Sequence, residues 1–233
     1  MAPLFEYDYR ALVIGASGAI GRAFTSAFQL DPRCIHVEQV SRSNGSGFDV
    51  RDESSIATQA QICSAAGPYH LIVDATGALT IDGVGPEKSL SSLQTERLTK
   101  AFQLNAIGPV LVLRHFAPLL APGPSVYAKL SARVGSITDN HKGGWYGYRA
   151  SKAALNMLLQ TAAIELQRKN AQLRVVALQP GTVRSELSHP FSAGVSKLLE
   201  PDESVVGMLA ALQNLQPRQG AHFIDYQGKE IPW

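Results

Sequence analysis

The 233-residue sequence predicts one α/β domain, spanning residues 1–233, built on a doubly wound parallel sheet of about seven strands. Strand-like and helix-like segments alternate along the chain, as in a Rossmann-like sheet with helices on both faces. An apolar run at residues 11–14 leads directly into a glycine-rich turn. The hydrophobic content of 45% is sufficient for a single large core. These three observations together define the expected fold class.

The first predicted strand ends in glycines at every third position, followed by a helix. This arrangement can hold a dinucleotide pyrophosphate, because glycines let the backbone approach phosphate and a helix N-terminus offers unpaired N–H groups. A tight turn between any strand and helix would need similar glycines. The predicted phosphate-binding residues are Gly15, Ser17, Gly18, Ala19, Ile20 and Gly21.

The second predicted strand, residues 34–40, ends beside Arg42. An acidic residue at this strand end favours NAD, whereas an arginine can pair with the 2′-phosphate of NADP. Glu38 is the competing acidic candidate, but it lies inside the strand. Arg42 could also be an ordinary solvated cation of a loop. The sequence therefore predicts NADP(H) in preference to NAD(H).

Further strands are predicted at residues 47–50 and 71–74, followed by a long helix over 93–120 that breaks at Gly108. Gly77, just after the second of these strands, lets the backbone come close to a ribose. Asn105 is a polar residue within an apolar helix and needs a hydrogen-bond partner. The next strand, 125–130, delivers Ser131 to the carboxyl edge of the sheet, where ligands bind in open α/β folds.

Tyr148 and Lys152 are four residues apart, which places them on the same face of a predicted helix. A neighbouring cation favours the phenolate and should lower the pKa of the tyrosine from about 10 toward the neutral range. Such spacing also occurs by chance on solvated helices. The glycine-rich turn upstream makes general acid–base chemistry the better interpretation. After this helix we predict strands at 173–178 and 220–225, a helix at 201–215, and a substrate-covering segment at 187–197.

The glycine-rich turn, Asn105, Tyr148 and Lys152 together resemble the short-chain dehydrogenase/reductase family over essentially the whole chain. The resemblance implies hydride transfer between a nicotinamide and a small carbonyl or alcohol substrate. It implies that Tyr148 is the acid/base, that Lys152 also binds the nicotinamide ribose, and that Asn105 orders a proton-relay water. The further cofactor contacts it implies are Asp49, Val50, Ala75, Thr76, Gly77, Pro180, Gly181 and Val183.

Two departures from the family pattern concern the site. Many members have Asn-Asn-Ala-Gly where this chain has Asp74 to Gly77, so only the final glycine is retained. The family also uses the second of two adjacent serines to polarise the substrate carbonyl, and Ala132 occupies that position here. We predict that Ser131 substitutes for it. The alternatives are Ser136, or the absence of any such hydroxyl.

Segments at 86–90, 143–146 and 228–233 resemble the subgroup that contains bacterial C-factor-like signalling proteins and the carbonyl reductase sniffer. This likeness and Ala132 leave a second hypothesis, an NAD(P)-binding signalling or regulatory protein with little catalysis. In the family, the helix that carries Tyr148 often packs against its copy in a partner subunit. A homodimer or homotetramer is therefore predicted.

Composition argues against several other classes. The net charge of +2, with scattered basic residues, argues against nucleic-acid binding. Cys34 and Cys63 lack metal-ligand or redox spacing, so no metal site and a reducing, cytoplasmic setting are expected. Acidic residues near the start argue against a secretory leader, and no stretch is long and apolar enough to suggest a membrane span.

Overall fold

The computed structural model describes residues 4–44, 47–185 and 198–233. Their centre is one six-stranded sheet, all parallel, with strand order β2-β1-β3-β4-β5-β6. Its strands are rich in Val, Leu and Ile, which suit a sheet buried on both faces. They are β1 (Tyr9–Ile14), β2 (Cys34–Val40), β3 (Leu71–Asp74), β4 (Ser125–Leu130), β5 (Leu173–Gln179) and β6 (His222–Asp225).

Within the described residues, six α-helices cover the two faces of this sheet. They are α1 (Ala19–Leu30), α2 (Glu53–Cys63), α3 (Thr95–Phe102), α4 (Gly108–Phe116), α5 (Tyr146–Gln167) and α6 (Pro201–Asn214). Alternate strand residues point to opposite faces. Thus Leu12 packs in a core with α2, α4 and α5, whereas Val13 packs in a second core with α1 and α6. The predicted doubly wound fold is confirmed.

The strand order reverses at β1: β2 is added on one side of β1, and β3 and the later strands are added on the other side. A crevice forms outside the carboxyl ends of parallel strands at such a switch point. The glycine-rich turn after β1 and the turn after β3 both open into this crevice. The topology therefore places the candidate phosphate-binding turn beside the segment that begins at Ala75.

Residues 47–50 do not form the predicted strand. Asp49 instead accepts from the Arg51 guanidinium, and its backbone N–H donates to the Ser55 hydroxyl, 2.9 Å away. Asp52 then caps α2 by accepting from the Ser54 N–H at 2.9 Å. These side-chain bonds favour a turn over a sheet ladder, and the described part of the chain contains six strands.

The long helix predicted over 93–120 is continuous at Gly108, but it contains a π-helical turn over Gln103–Ile107. Gly108 is required by packing, since a β-carbon there would lie 2.3 Å from the carbonyl oxygen of Val50. The wider turn accommodates Pro109, which cannot donate a backbone hydrogen bond. Asn105 lies within this turn.

Two other expectations concern a predicted covering segment and the absence of a membrane span. The predicted covering segment 187–197 lies outside the described residues. Of the helices that are described, none combines the length and apolar character needed to cross a bilayer.

Candidate active site

In the glycine-rich turn, the backbone at Gly15 passes close to the first turn of α1 at Gly21. Gly15 has φ of +83°, a conformation that favours glycine. A β-carbon on Gly21 would lie 2.1 Å from the Gly15 carbonyl oxygen, so this position must lack a side chain. Gly18 is the N-cap of α1, and Ala19 and Ile20 begin the helix. The turn thus brings the positive end of the α1 dipole to the crevice.

A cleft of about 340 Å³ extends from this turn across the carboxyl ends of β1, β2 and β3. The predicted cofactor residues that line it are Gly15, Ser17, Gly18, Arg42, Asp49, Val50, Ala75, Thr76 and Gly77. Arg42 is exposed in a short 3₁₀ turn after β2. Arg51, which the sequence analysis missed, also lines the cleft and lowers the pKa of Asp49 through their hydrogen bonds. No sequence signal distinguished Arg51 from an ordinary surface arginine.

Asn105 anchors the turn that follows Gly77. Its Oδ1 accepts from the Ala78 N–H at 2.9 Å, and its Nδ2 donates to the Ala78 carbonyl at 2.8 Å. Gly77 has φ of +147°, and a β-carbon on it would lie 3.3 Å from Asn105 Oδ1 and 3.5 Å from Lys152 Nζ. The partner predicted for the buried Asn105 amide is therefore the backbone that borders the cleft.

Tyr148 and Lys152 occupy the first two turns of α5, as their spacing predicted. Lys152 Nζ lies 5.8 Å from the centre of the Tyr148 ring and donates to the Leu130 carbonyl at 3.1 Å. Glu87 Oε2 accepts from the Gly147 N–H at 3.0 Å and so fixes the N-terminus of this helix. The buried carboxylate is also favourably placed near the positive end of the helix dipole.

The pKa of Tyr148 differs from the sequence expectation. Burial raises it to about 12, because the phenolate would lose hydration. The pKa of Lys152 is lowered to about 7, chiefly by burial and also by the positive charge of Lys129, while Asp74 acts in the opposite direction. Lys152 donates to Leu130 rather than to the phenol oxygen, so desolvation outweighs the attraction of the cation for the phenolate.

The carboxyl end of β4 holds the two candidate serines. Ser131 is buried, and its hydroxyl donates to Asn156 Oδ1 at 2.7 Å. Ser136 is also buried, and its oxygen accepts from the Asp139 N–H at 3.0 Å. Ala132 lies between them at the start of a 3₁₀ turn. The sequence analysis missed Asn156, which lies one helical turn beyond Lys152, because its contact with Ser131 joins residues that are distant in the sequence.

A second cavity of about 190 Å³ adjoins the cleft and is lined by both Tyr148 and Asn105. It shares Ala78, Ile81 and Asp82 with the cleft. Its other charged lining residues, which the sequence analysis did not single out, are Glu87, Glu96, Arg97 and Lys100. They belong to a loop and a helix whose sequence has no catalytic motif.

Pro180, Gly181 and Val183 follow β5 at the same edge of the sheet, three strands along from β1. Gly181 has φ of +79°, and a β-carbon there would lie 2.7 Å from Leu199. Val183 forms an isolated bridge with Leu199. This turn is therefore held by the segment that leads into α6. No group of three or more metal-ligating side chains occurs in the described residues.

The cleft begins at the glycine-rich turn and reaches Gly77, beside which the buried Lys152 lies, and the half-buried Tyr148 lines the adjoining cavity. This arrangement defines the class: an NAD(P)-dependent oxidoreductase with a Rossmann-like fold. The family comparison agrees, since residues 9–195 match the short chain dehydrogenase family. The chain belongs to this family.

Among related sequences, the C-signal of Myxococcus xanthus is 32% identical over 168 residues, covering 72% of this chain and 94% of that protein. A 1-hydroxy-2-glutathionyl-2-methyl-3-butene dehydrogenase of Rhodococcus sp. is 29% identical, covering 80% of this chain and 79% of that protein. The subgroup neighbours expected from the sequence are thus found.

The fold of this chain also matches the folds of solved structures. An NADPH-bound carbonyl reductase from chicken fatty liver superposes with a TM-score of 0.85 at 22% identity, covering 97% of this chain and 95% of that one. The carbonyl reductase Sniffer of D. melanogaster gives a TM-score of 0.82 at 20% identity, covering 97% and 100%. At these identities the likeness concerns the fold.

Proposed function

We propose that this protein is an NADP(H)-dependent reductase of small carbonyl compounds, with Tyr148 as the general acid. The observation that carries the proposal is the convergence of Tyr148, Lys152 and Asn105 at the inner end of a cleft that begins at the glycine-rich turn. Gly21 and Tyr148 are separated along the chain by more than a hundred residues, so their meeting at one site is informative.

The residues of the cleft fit a dinucleotide. Gly21 lacks the side chain that would block the turn, so the backbone can approach a pyrophosphate. Asp49 and Val50 would contact the adenine, while Ala75, Thr76 and Gly77 would border the nicotinamide ribose together with Lys152. Pro180, Gly181 and Val183 would contact the carboxamide end. When bound, the nicotinamide supplies or accepts the hydride.

In the reduction direction Tyr148 must be protonated, and with a pKa of about 12 its phenol carries its proton near neutrality. Its hydroxyl would donate a proton to the oxygen of the substrate carbonyl as negative charge develops there. Lys152, with a pKa of about 7, can exchange a proton under the same conditions. Asn105, whose amide is held by Ala78, would order the water that returns the proton to this pair.

Ser131 is our candidate for the hydroxyl that holds the carbonyl oxygen. Its single hydrogen is donated to Asn156, whose Nδ2 has no partner among the described residues. A half-turn of the Asn156 amide would let Nδ2 donate to the Ser131 oxygen. That exchange would release the serine hydrogen for a substrate. Ser136 is the second candidate.

Three finer points also belong to the proposal. Arg42, exposed at the end of β2, supports NADP(H) over NAD(H) because it can reach a 2′-phosphate. Two free cysteines, Cys34 and Cys63, suit a reducing cytoplasm. Met157 on α5 and Ile107 on the π-helical turn are exposed apolar side chains, which suits a homodimer or homotetramer built on this helix.

A second candidate is favoured by the 32% identity to C-signal and by Ala132. In this alternative the protein binds NAD(P) and acts as a signalling or regulatory protein with little turnover. Intact Tyr148, Lys152 and Asn105 count against it.

The deciding experiment follows the loss of NADPH absorbance, with NADH in parallel, across ketones, aldehydes and quinones. Wild type is compared with Tyr148→Phe, which removes one hydroxyl. We expect turnover in the wild type and a loss of about 10² to 10⁴-fold in the variant, with cofactor binding retained. Equal turnover in the two proteins would refute the role of Tyr148. Cofactor binding without turnover of any substrate would favour the second candidate.

A further inference from the structure

Asp74, which departs from the family pattern, and Lys129 lie together beneath the Tyr148–Lys152 pair. Asp74 ends β3, and Lys129 is its direct neighbour on β4 in the register of the sheet. Lys129 Nζ lies 2.9 Å from Asp74 Oδ1, and both side chains are completely shielded from solvent. No other residue of these two strands is charged, so this ion pair is an exception within the core.

The Lys129 ammonium is fully engaged as a donor. Its Nζ lies 2.9 Å from Asp74 Oδ1, 2.6 Å from the Thr76 carbonyl and 2.9 Å from Thr76 Oγ1. Three acceptors match the three hydrogens of a charged lysine. Thr76 also donates to Asp74 Oδ1 through its N–H at 2.9 Å and its hydroxyl at 2.6 Å. The three side chains therefore hold the turn after β3 from beneath.

This turn leads directly to the reacting groups. Gly77 follows Thr76 and lies close to both Asn105 Oδ1 and Lys152 Nζ. Ala78, the next residue, makes both hydrogen bonds to the Asn105 amide. Any shift of Thr76 would therefore displace the backbone against which Asn105 and Lys152 are placed.

The same pair also determines the electrostatic field at Lys152. Lys129 and Asp74 are the charged groups that act on its ammonium, with the effect of Lys129 the larger. Tyr148 on α5 is the titratable neighbour along its own helix, and Tyr127 on β4 faces Asp74. The charged groups on the adjoining elements are already paired, namely Arg97 with Glu87, Lys100 with Asp82 and Glu96, and Arg133 with Asp139 and Asp225.

We propose that Asp74 and Lys129 are positioning residues for the Tyr148–Lys152 pair: they hold the turn at residues 75–78, against which Lys152 lies, and their charges act on the Lys152 ammonium. Replacing a buried ion pair by apolar residues is often neutral or stabilising. A pair retained directly beneath a second buried lysine is better explained by its effect on that lysine. The inference rests on the proposed function only for its consequence in catalysis.

The test titrates Lys152 directly, without substrate or cofactor. Protein labelled with carbon-13 lysine is followed by NMR across pH, and the Lys152 signal is identified by its absence in Lys152→Met. Removing the Asp74 charge takes away an attraction, so Lys152 in Asp74→Asn should titrate lower by on the order of one pH unit. Removing the Lys129 charge takes away a repulsion, so in Lys129→Met it should titrate higher by a similar amount.

The double variant Asp74→Asn/Lys129→Met removes both charges of the ion pair, so neither member is left buried without its partner, and it covers the case in which a single variant does not fold. Because the repulsion from Lys129 is the larger effect, Lys152 should titrate above wild type in the double variant and below Lys129→Met. The control is Arg114→Met, which removes an exposed ion pair with Glu53 between α4 and α2, and it should leave the titration of Lys152 unchanged.

Opposite shifts in the two single variants, or the upward shift in the double variant, would support the proposal, since general loosening of the structure would move all signals in one direction. Titration of Lys152 at the wild-type pH in every folded variant would overturn it. Turnover is measured separately by the assay above, where the pH dependence of kcat should shift with the NMR titration. If the wild type turns nothing over, the proposed function fails while the titration still decides this inference.

Discussion

The two ends of the candidate site are formed by different chemical groups, backbone at one end and side chains at the other. At the nucleotide end, the glycine-rich turn presents backbone groups, and its geometry depends on absent side chains at Gly15 and Gly21. At the reacting end, the buried Lys152 and Asn105 and the half-buried Tyr148 are side chains whose properties depend on their surroundings, including neighbours from β3 and β4. We conclude that the first end is sensitive to added volume and the second to changes in charge and hydrogen bonding.

The largest effect that this comparison predicts is at Gly21. In Gly21→Ala the new β-carbon would lie 2.1 Å from the Gly15 carbonyl oxygen and 2.9 Å from the Ala16 Cα. Since both are backbone atoms, we expect a loss of stability of about 3 kcal/mol and loss of NADPH binding. Thermal unfolding measures the loss of stability, and NADPH fluorescence measures the loss of binding. Gly18→Ala is the matched control for stability, because its nearest contact is 3.4 Å. Equal stability of the two variants would contradict the close approach of the backbone at Gly21.

Lys152→Met tests the reacting end and should separate activity from stability. We expect turnover to fall by about 10² to 10⁴-fold, because the acid–base pair is broken. We also expect the variant to be more stable than wild type by about 1–3 kcal/mol near neutrality, because burial disfavours the charged lysine.

The gain in stability should depend on pH with a defined sign. The pKa of Lys152 is lowered from 10.5 to about 7 in the folded protein. Between these values the unfolded chain binds more protons, so wild-type stability rises with pH. The advantage of Lys152→Met is therefore greatest below about pH 7 and disappears toward pH 10.5. Urea unfolding at about pH 6 and about pH 10 measures this change. Lys169→Met, an exposed control, should show no such trend.

Ser131→Ala tests which serine hydroxyl binds the carbonyl oxygen of the substrate. If Ser131 holds the oxygen, kcat should fall by about 10² to 10³-fold. Stability should fall by about 1 kcal/mol, because Asn156 Oδ1 loses its donor. Ser136→Ala is the matched comparison and should retain most of its turnover. A large loss in Ser136→Ala, with Ser131→Ala still active, would transfer the role to Ser136.

The smallest predicted effect returns to the nucleotide end, where Arg42 is exposed. Arg42→Ala should weaken NADPH binding about tenfold through loss of the interaction with the 2′-phosphate. NADH binding, which involves no such phosphate, should be unchanged and provides the control. Fluorescence titration with both nucleotides measures the difference. Equal losses for NADPH and NADH would mean that Arg42 does not select the cofactor.

What the sequence by itself determined is local. The glycines that follow an apolar strand, and the four-residue spacing of Tyr148 and Lys152, predicted the parallel fold and the helix that carries this pair. Both depend on the conformation of a few consecutive residues. The strand expected at residues 47–50 was wrong because side-chain hydrogen bonds around Asp49 compete with sheet pairing.

Tertiary structure alone decided how the site is supported and charged. Asp74 and Lys129 are 55 residues apart and meet only because β3 lies beside β4 in one particular register. Ser131 reaches Asn156 in the same way, across the space between β4 and α5. The lowered pKa of Lys152 arises from burial and from these neighbours. Solvent exclusion and electrostatic fields depend on three-dimensional distance, which the order of residues does not specify.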